Sequence, residues 1–301
     1  MSNYLNDIFD KREKPISDNS RNLYKRNLEK LNDNQDVINL NYLNDIKTIM
    51  FKIKDYKPTT QRTFIISICT VLRYNNEKLY NQYYEILSKM NNDLKVNVVK
   101  SDKQNENWMS QNEVQKIYND LKEKVKKRVN SKDSYNDLLN YMILSLYVLI
   151  SPRRNIDYSL CRISTDTKDT KFNYLDLNKQ EFIFNNYKTQ GKYNSVVIPI
   201  PDDLMSVIKL YLSNHPLKIQ LKNKKHNVHF LVNYYGENID KSPQMTKILN
   251  SIFDKKIGSS MLRNMYLTNK YGDLMKELKT DVSDMGTSVG VAMNNYIKLE
   301  T

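Results

Sequence analysis

Two arginines in the C-terminal two-thirds of the chain stand where each could hold a phosphate. Arg154 follows an apolar stretch that predicts a buried helix, and Asp157, three residues later, would lie on the same helical face and orient it. Ser260 and Arg263 are also one helical turn apart and share a face. A guanidinium grips a phosphate through two parallel hydrogen bonds and keeps its charge. These residues therefore suit a reaction at a phosphate in which arginine is the electrophilic aid.

A lysine and a tyrosine extend this ordered set. Lys188 falls at the tip of a predicted β-hairpin, where a long cationic side chain can reach into a groove. Thr287 follows a glycine, and Tyr296 stands nine residues after Thr287. Each residue also has a plainer interpretation: Arg154 could cap a helix, Lys188 is one of many lysines, and Tyr296 is one of 22 tyrosines. Only their order along the chain makes them a candidate catalytic set.

Several kinds of phosphate chemistry are disfavoured by what the sequence lacks. No glycine-rich loop ends in Lys-Ser or Lys-Thr, so nothing indicates a P-loop NTPase. The three histidines and two cysteines have no metal-site spacing, and no compact acidic motif indicates a metal nuclease. We therefore expect neither a metal nor another cofactor.

The charge of the chain indicates its partner. The formal net charge is +13, and a positive field of this size attracts polyanions. Neutralising phosphates releases their counterions, so double-stranded DNA or another nucleic acid is the natural partner. The alternative is a charge that only serves solubility, in a protein whose excess of Asn, Lys, Tyr and Ile suggests an AT-rich genome.

The sequence predicts an intracellular protein. The first residues, MSNYLNDIFDKREK, contain no apolar signal region, and the longest apolar stretch, 138–150, is too short to span a bilayer. Cys69 and Cys161 lie far apart in apolar or helical contexts, which fits a reducing compartment. We expect no membrane partner and a location wherever the DNA is, in cytoplasm, nucleus or virus factory.

The N-terminal third is expected to be a helical domain. Residues 1–20 are polar and are expected to be loosely ordered. Beyond them apolar residues recur at helical spacing, which predicts helices from Arg21, over Val37–Lys54, over Thr60–Tyr74 and over Glu77–Asn91. We therefore expect a domain over residues 1–91 without a catalytic cluster. Residues 92–109 are polar and aperiodic, and we interpret them as a linker.

Residues 110–301 predict a second, larger domain. Ser110 and Glu113 match a capping box that opens a helix, and the apolar stretch 138–150 predicts a core helix. Two apolar runs, 182–184 and 196–198, flank a polar segment with a glycine, which predicts a β-hairpin. The expected fold class is mainly α with a small β-hairpin or sheet, an α+β class.

The ordered set resembles the tyrosine recombinase, or phage-type integrase, family. That family uses an Arg with an acidic residue three positions later, a hairpin Lys, a His-x-x-Arg box, a Gly-His or Gly-Trp position, and a Tyr nine residues beyond. The residues from Arg154 to Tyr296 follow this order, and the N-terminal helices are similar in size and placement to the family's core-binding domain. The resemblance thus covers nearly the whole chain, with diagnostic residues only in its C-terminal two-thirds.

The resemblance implies a role for each residue. Arg154 and Arg263 would form the phosphate clamp, and Lys188, or less strongly Lys192, would protonate the leaving 5′-oxygen. Tyr296 would attack the phosphodiester, form a 3′-phosphotyrosyl link and free a 5′-hydroxyl that attacks a partner strand. The family acts as a tetramer on DNA in phages, large DNA viruses and other mobile elements. The implied function is metal-independent DNA recombination or integration by a homotetramer.

Two positions depart from the family pattern. Ser260 stands where the box His is expected, and Thr287 stands at the Gly-His or Gly-Trp position. Serine and threonine can hydrogen-bond but cannot act as bases near neutral pH, so the tyrosine would depend on the arginine field. The chain would then be a slower recombinase or a catalytically degenerate DNA-binding protein. The third hypothesis is a type IB topoisomerase, which uses the same chemistry but relaxes supercoiled DNA as a monomer.

Overall fold

A computed structural model describes residues 4–94, 100–127, 132–222 and 228–298. The chain divides into two compact units, residues 1–100 and 101–301. Among the described residues no helix is both long and apolar enough to cross a membrane.

The N-terminal unit is entirely helical over its described residues. Its core forms around α4 (Pro58–Leu72), which begins with Pro58 at a position where a missing N–H costs nothing. Buried Asn27 of α2 (Asp18–Leu31) donates to Ser67 Oγ of α4 at 3.0 Å, so these two buried polar side chains satisfy each other. The helices are α1 (Tyr4–Asp10), α2 (Asp18–Leu31), a 3₁₀ turn (Asn41–Asn44), α3 (Ile46–Ile53), α4 (Pro58–Leu72) and α5 (Glu77–Leu94).

Two sequence-based expectations for this unit are wrong. The first residues contain α1, because Leu5, Ile8 and Phe9 bury one apolar face in the core. The predicted helix over Val37–Lys54 is interrupted at Asp45, whose carboxylate accepts from Thr48 N–H at 3.0 Å and caps α3. An aspartate that satisfies a free backbone amide starts a new helix at that point.

The predicted linker over 92–109 is largely structured. Helix α5 continues to Leu94, and a short helix, α6 (Asp102–Asn107), opens with a capping box between Ser101 and Gln104. Beyond it Met109 is buried in the core of the C-terminal unit. Residues 95–99 lie outside the described part of the chain.

The C-terminal unit packs helices against a small mixed sheet. The strands are β1 (Cys161–Ile163), β2 (Asn173–Asp176), β3 (Glu181–Phe184), β4 (Val196–Pro199) and β5 (Val228–His229). Their order in the sheet is β4-β3-β2-β1-β5, with β1 parallel to β2 and the other neighbours antiparallel. The helices are α7 (Gln111–Lys127), α8 (Lys132–Val148), α9 (Asn155–Ser159), α10 (Gln190–Tyr193), α11 (Asp202–Ser213), α12 (Lys218–Lys222), α13 (Ser242–Phe253), α14 (Ser259–Asp284) and α15 (Val289–Val291), followed by a π-helical turn (Ala292–Tyr296).

The two elements predicted to build the core of this unit are confirmed. The apolar stretch at 138–150 lies largely in α8, which is buried on nearly all sides over its C-terminal half. The predicted hairpin is the antiparallel pair β3 and β4, in which Phe182 stands opposite Ile198. The expected mainly helical α+β class is confirmed at this broad level, and the sheet is larger than the hairpin alone.

Candidate functional site

An open cleft of about 230 Å³ in the C-terminal unit gathers residues from three distant segments. The loop between α8 and α9, the hairpin between β3 and β4, and the second turn of α14 each form part of its wall. Two apolar side chains complete that wall, and its polar and aromatic residues are Arg153, Arg154, Asp157, Tyr187, Thr189 and Arg263. Three guanidinium groups thus surround one space together with a single carboxylate.

The first arginines follow the end of the buried helix α8. Arg154 is the N-cap of α9 and has an extended backbone, with φ −73° and ψ 147°. Its neighbour Arg153 donates from Nε to Asp157 Oδ2 at 3.0 Å and covers the rings of Phe184 and Tyr187, with its Cζ 4.0 and 5.1 Å from their centroids. Arg153 is therefore anchored by a buried carboxylate and two aromatic faces.

The carboxylate of Asp157 orients Arg153 and not Arg154, contrary to the sequence-based expectation. An i, i+3 relationship brings side chains together only where both residues are helical. Arg154 is the extended cap before the helix, and among the described residues no side-chain hydrogen bond joins it to Asp157, although its charge also lowers the pKa of that carboxyl. Burial raises the pKa of Asp157, and the Arg153 guanidinium opposes this effect. The pair is a structural element of the cleft wall.

Arg154 and Arg263 are the two arginines of the cleft that form no ion pair with the Asp157 carboxylate. Both are half-buried on the cleft wall, and within the described residues neither makes a side-chain hydrogen bond or an ion pair. Three guanidinium groups share this cleft with one carboxylate, and that carboxylate is already ion-paired with Arg153, so the excess positive charge costs free energy unless an anion binds there. The cleft is therefore built for an anion, and paired guanidinium groups match the oxygens of a phosphate.

A buried asparagine ties the two arginine-bearing segments together. Asn155 N–H donates to Ser259 Oγ of α14 at 3.2 Å. Its side chain accepts from Tyr147 Oη of α8 at 2.7 Å and donates to Thr246 Oγ1 of α13 at 2.9 Å. Four helices thus meet at one residue, which is 2% exposed. The sequence analysis missed Asn155, although its position directly after Arg154 in a buried context was a usable signal.

A second buried asparagine fixes the hairpin against α9. Asn173 of β2 donates from Nδ2 to Asp157 O at 2.8 Å and to Asn186 O at 3.0 Å. Its Oδ1 accepts from the backbone amides of Asn185 and Asn186 at 2.9 and 2.7 Å. The end of β3 is therefore held beside the arginine loop, and this residue also escaped the sequence analysis.

The two lysine candidates belong to this hairpin. Lys188 is exposed and lies between Tyr187 and Thr189, which both line the cleft. Lys188 is next to the cleft wall but is not itself part of it. The backbone of Lys192 lies in α10, and its side chain is outside what the structure describes.

The remaining predicted site residues lie on α14 and beyond it. Ser260 is exposed in the first turn of α14, one turn before Arg263. Thr287 is half-buried after Gly286, whose φ of 66° ends the helix in the left-handed region that favours glycine. Tyr296 is 60% exposed at the end of the π-helical turn. None of these three side chains is on the described cleft wall.

The structure therefore brings some of the predicted catalytic residues together at the cleft and places others away from it. Arg154, Arg263 and the hairpin converge on one cleft, whereas the side chain of Tyr296 is elsewhere on the surface. Comparison of this chain with family models, with curated proteins and with solved structures finds no match. The chemistry of the cleft is therefore the basis on which its function is proposed.

Proposed function

We propose that this protein cleaves and rejoins DNA strands in the manner of a tyrosine recombinase, with Tyr296 as the nucleophile. One observation carries the proposal: Arg154 and Arg263, far apart in sequence, line the same open cleft, and neither forms an ion pair among the described residues. A phosphodiester supplies the missing negative charge. The net charge of +13 favours encounter with such a polyanion.

The arginines act where charge develops during the reaction. A phosphodiester bound in the cleft presents its two non-bridging oxygens to the guanidinium groups. As an incoming oxygen bonds to phosphorus, negative charge accumulates on those oxygens, and fixed cations stabilise it without reorganising. Arg153 keeps the wall in shape because Asp157 and two rings hold it in one position.

The covalent step conserves the energy of the broken bond. The Tyr296 oxygen bonds to phosphorus, its proton leaves to solvent, and the 5′-oxygen departs with a proton from Lys188. The products are a 3′-phosphotyrosyl link and a free 5′-hydroxyl. Attack by a 5′-hydroxyl of a partner strand reverses these transfers, which joins the strands and restores the phenol. No nucleotide is consumed in either direction.

The exposed phenol has to reach an arginine cleft for this chemistry. Tyr296 lies beyond Gly286, in a segment where Ala292 is buried and Met293 is 55% exposed. In this proposal that segment moves to bring Tyr296 to the cleft of its own chain or of a neighbouring copy on DNA. A homotetramer on two duplexes is the assembly that the resemblance to the recombinase family implies.

A second function is favoured by the same residues. Ser260 and Thr287 stand where the family has histidine or tryptophan, and the side chain of Tyr296 lies off the described cleft wall. A protein that binds DNA through the arginine cleft without cutting it would need no base and no nearby phenol. Recombinase-derived DNA binding is therefore the alternative.

Trapping of a covalent adduct tests the proposal. A nicked duplex whose cleaved 5′ fragment diffuses away should accumulate a protein–DNA adduct that resists denaturation. The Tyr296→Phe variant removes only the reacting oxygen and should bind the duplex equally well without forming the adduct. Tyr234→Phe, at another exposed tyrosine of the same unit, is the matched control and should form it at the wild-type rate.

Two results would contradict the enzymatic proposal. An adduct that persists in Tyr296→Phe would assign the nucleophile elsewhere. The second result is a wild-type protein that binds many different duplexes, including the end sequences of the mobile element that encodes it, and never forms an adduct. It would favour the alternative of DNA binding without cleavage.

A further inference from the structure

A row of polar residues continues along α14 from the arginine cleft. Ser259, Arg263, Tyr266 and Lys270 are spaced by four, three and four residues, so they lie on one face of the helix. Ser259 faces α9, because its Oγ accepts from Asn155 N–H at 3.2 Å. Arg263 lines the cleft on that same side. Tyr266 and Lys270 therefore extend the cleft-facing side of α14 by one to two turns beyond Arg263, towards the C-terminal end of the helix.

The loop before Arg154 meets this row. Ser151 Oγ and Tyr266 Oη are 3.1 Å apart and share a hydrogen bond between the loop and α14. Lys270 Nζ approaches the same phenol oxygen at 3.5 Å and lies 5.3 Å from the centroid of the Tyr271 ring. Two hydroxyls and one ammonium thus converge directly beside the arginine loop.

No carboxylate compensates this cluster within the described residues. The nearest acidic residue along the helix on the C-terminal side, Asp273, is paired with Lys276 at 3.0 Å. Ser151 and Lys270 also lower the pKa of the Tyr266 phenol, because their hydrogen bonds stabilise negative charge on its oxygen. The same donors would stabilise the charge on a phosphate oxygen.

We infer that Ser151, Tyr266 and Lys270 form a second phosphate subsite, which binds a neighbouring phosphate of the DNA strand held in the arginine cleft. The inference rests on the proposed function, since both require DNA at the cleft. Arg263 and Lys270 are seven residues apart, which is about 10 Å along a helix axis. One DNA strand carries a phosphate about every 3.4 Å of duplex axis, so the two positions hold different phosphates.

Salt-dependent binding to a short duplex tests the subsite. Lys270→Gln should lower the slope of log affinity against log salt by about 0.9, the loss of one phosphate contact. Lys279→Gln is the matched control: it removes the same charge from the same helix, about two and a half turns away and therefore on the opposite face. It should leave the slope unchanged.

Two further variants separate hydrogen bonding from charge. Tyr266→Phe should weaken binding roughly three- to tenfold with an unchanged salt slope, because it removes a donor and no charge. Ser151→Ala should have a smaller effect in the same direction and leaves α14 intact. Thermal unfolding of each variant, compared with the wild type, verifies that the fold is retained.

The outcomes distinguish failure of the subsite from failure of the proposed function. Equal slopes for Lys270→Gln and Lys279→Gln, or wild-type affinity of Tyr266→Phe, would overturn the subsite while wild-type binding persists. A wild-type protein that binds no duplex even at low salt would overturn the proposed function and the subsite together.

Discussion

Asn155 N–H donates a hydrogen bond to Ser259 Oγ at 3.2 Å, and this contact joins the loop that carries Arg154 to the helix that carries Arg263. The two residues are far apart in sequence, yet each stands within four positions of an arginine on the cleft wall. The spacing of the two guanidinium groups therefore depends on one buried asparagine and the helices that it connects.

Asn155→Ala should destabilise the fold and misplace the arginines. The variant leaves the buried Tyr147 Oη without its acceptor and removes one of the two hydrogen bonds of Thr246 Oγ1, at a cost of about 1–3 kcal/mol. Urea unfolding measures this loss. Asn112→Ala, at an exposed position on α7, is the control and should change stability by less than about 0.5 kcal/mol. An equal effect of both substitutions would show that Asn155 has no special structural role.

The neighbouring arginines Arg153 and Arg154 should give opposite results when each is changed to alanine. Arg153→Ala leaves the Asp157 carboxylate buried without its ion-pair partner and should destabilise the protein by about 3–5 kcal/mol. Arg154→Ala removes a charge that has no ion-pair partner among the described residues and should leave stability within about 0.5 kcal/mol. Its adduct formation should instead fall by roughly 10²- to 10³-fold. Thermal unfolding and covalent trapping, measured on the same two variants, distinguish the structural role of Arg153 from the catalytic role of Arg154. A stable Arg153→Ala that forms no adduct, with a destabilised Arg154→Ala that does, would exchange the two assignments.

Lys188→Ala should slow cleavage of ordinary DNA but not of a substrate with a better leaving group. If Lys188 protonates the 5′-oxygen, a duplex with sulphur at that bridging position needs no acid and should restore adduct formation. Arg263→Ala should not be rescued, because it acts on the non-bridging oxygens. Lys179→Ala, at an exposed turn, controls for the loss of a surface charge. Failure of the sulphur substrate to rescue Lys188→Ala would remove the acid role from this lysine.

Stability should fall as the pH drops below about 6.5, and His215 should account for part of the loss. This ring is fully buried, accepts from Leu217 N–H at 3.1 Å, and has its pKa lowered by burial from 6.5 to about 4. As the pH falls, the unfolded chain therefore takes up a proton on this histidine before the folded chain does. The folded state keeps its full stability relative to the unfolded state above pH 6.5 and loses this contribution as the pH falls towards 4. The loss reaches about 3 kcal/mol at most.

Urea unfolding between pH 7 and pH 4 measures this dependence. His215→Gln should flatten it, and His229, whose pKa is also lowered by burial, remains in both proteins and cancels in the comparison. Identical pH profiles for the wild type and His215→Gln would assign the dependence to other groups.

Local patterns in the sequence were sufficient where neighbouring residues determine the structure. The apolar runs around a polar segment predicted the β3–β4 hairpin, and the apolar stretch before Arg154 predicted the core of α8. Both depend on periodicity and on turns within some twenty residues. The mainly helical α+β class followed from the same patterns, together with the scarcity of glycine and proline.

Tertiary structure decided what depends on distant partners. The parallel pair of β1 and β2 brings Cys161 opposite Asn173, and neither three- to four-residue strand has a local signal for that partner. The sequence order selected Arg154 and Arg263 as a pair, but only packing through Asn155 brings them to one cleft. Packing also pairs Asp157 with Arg153: Arg154 has the extended backbone of a helix cap, so the helical spacing on which the predicted pair of Arg154 and Asp157 depended does not apply to it.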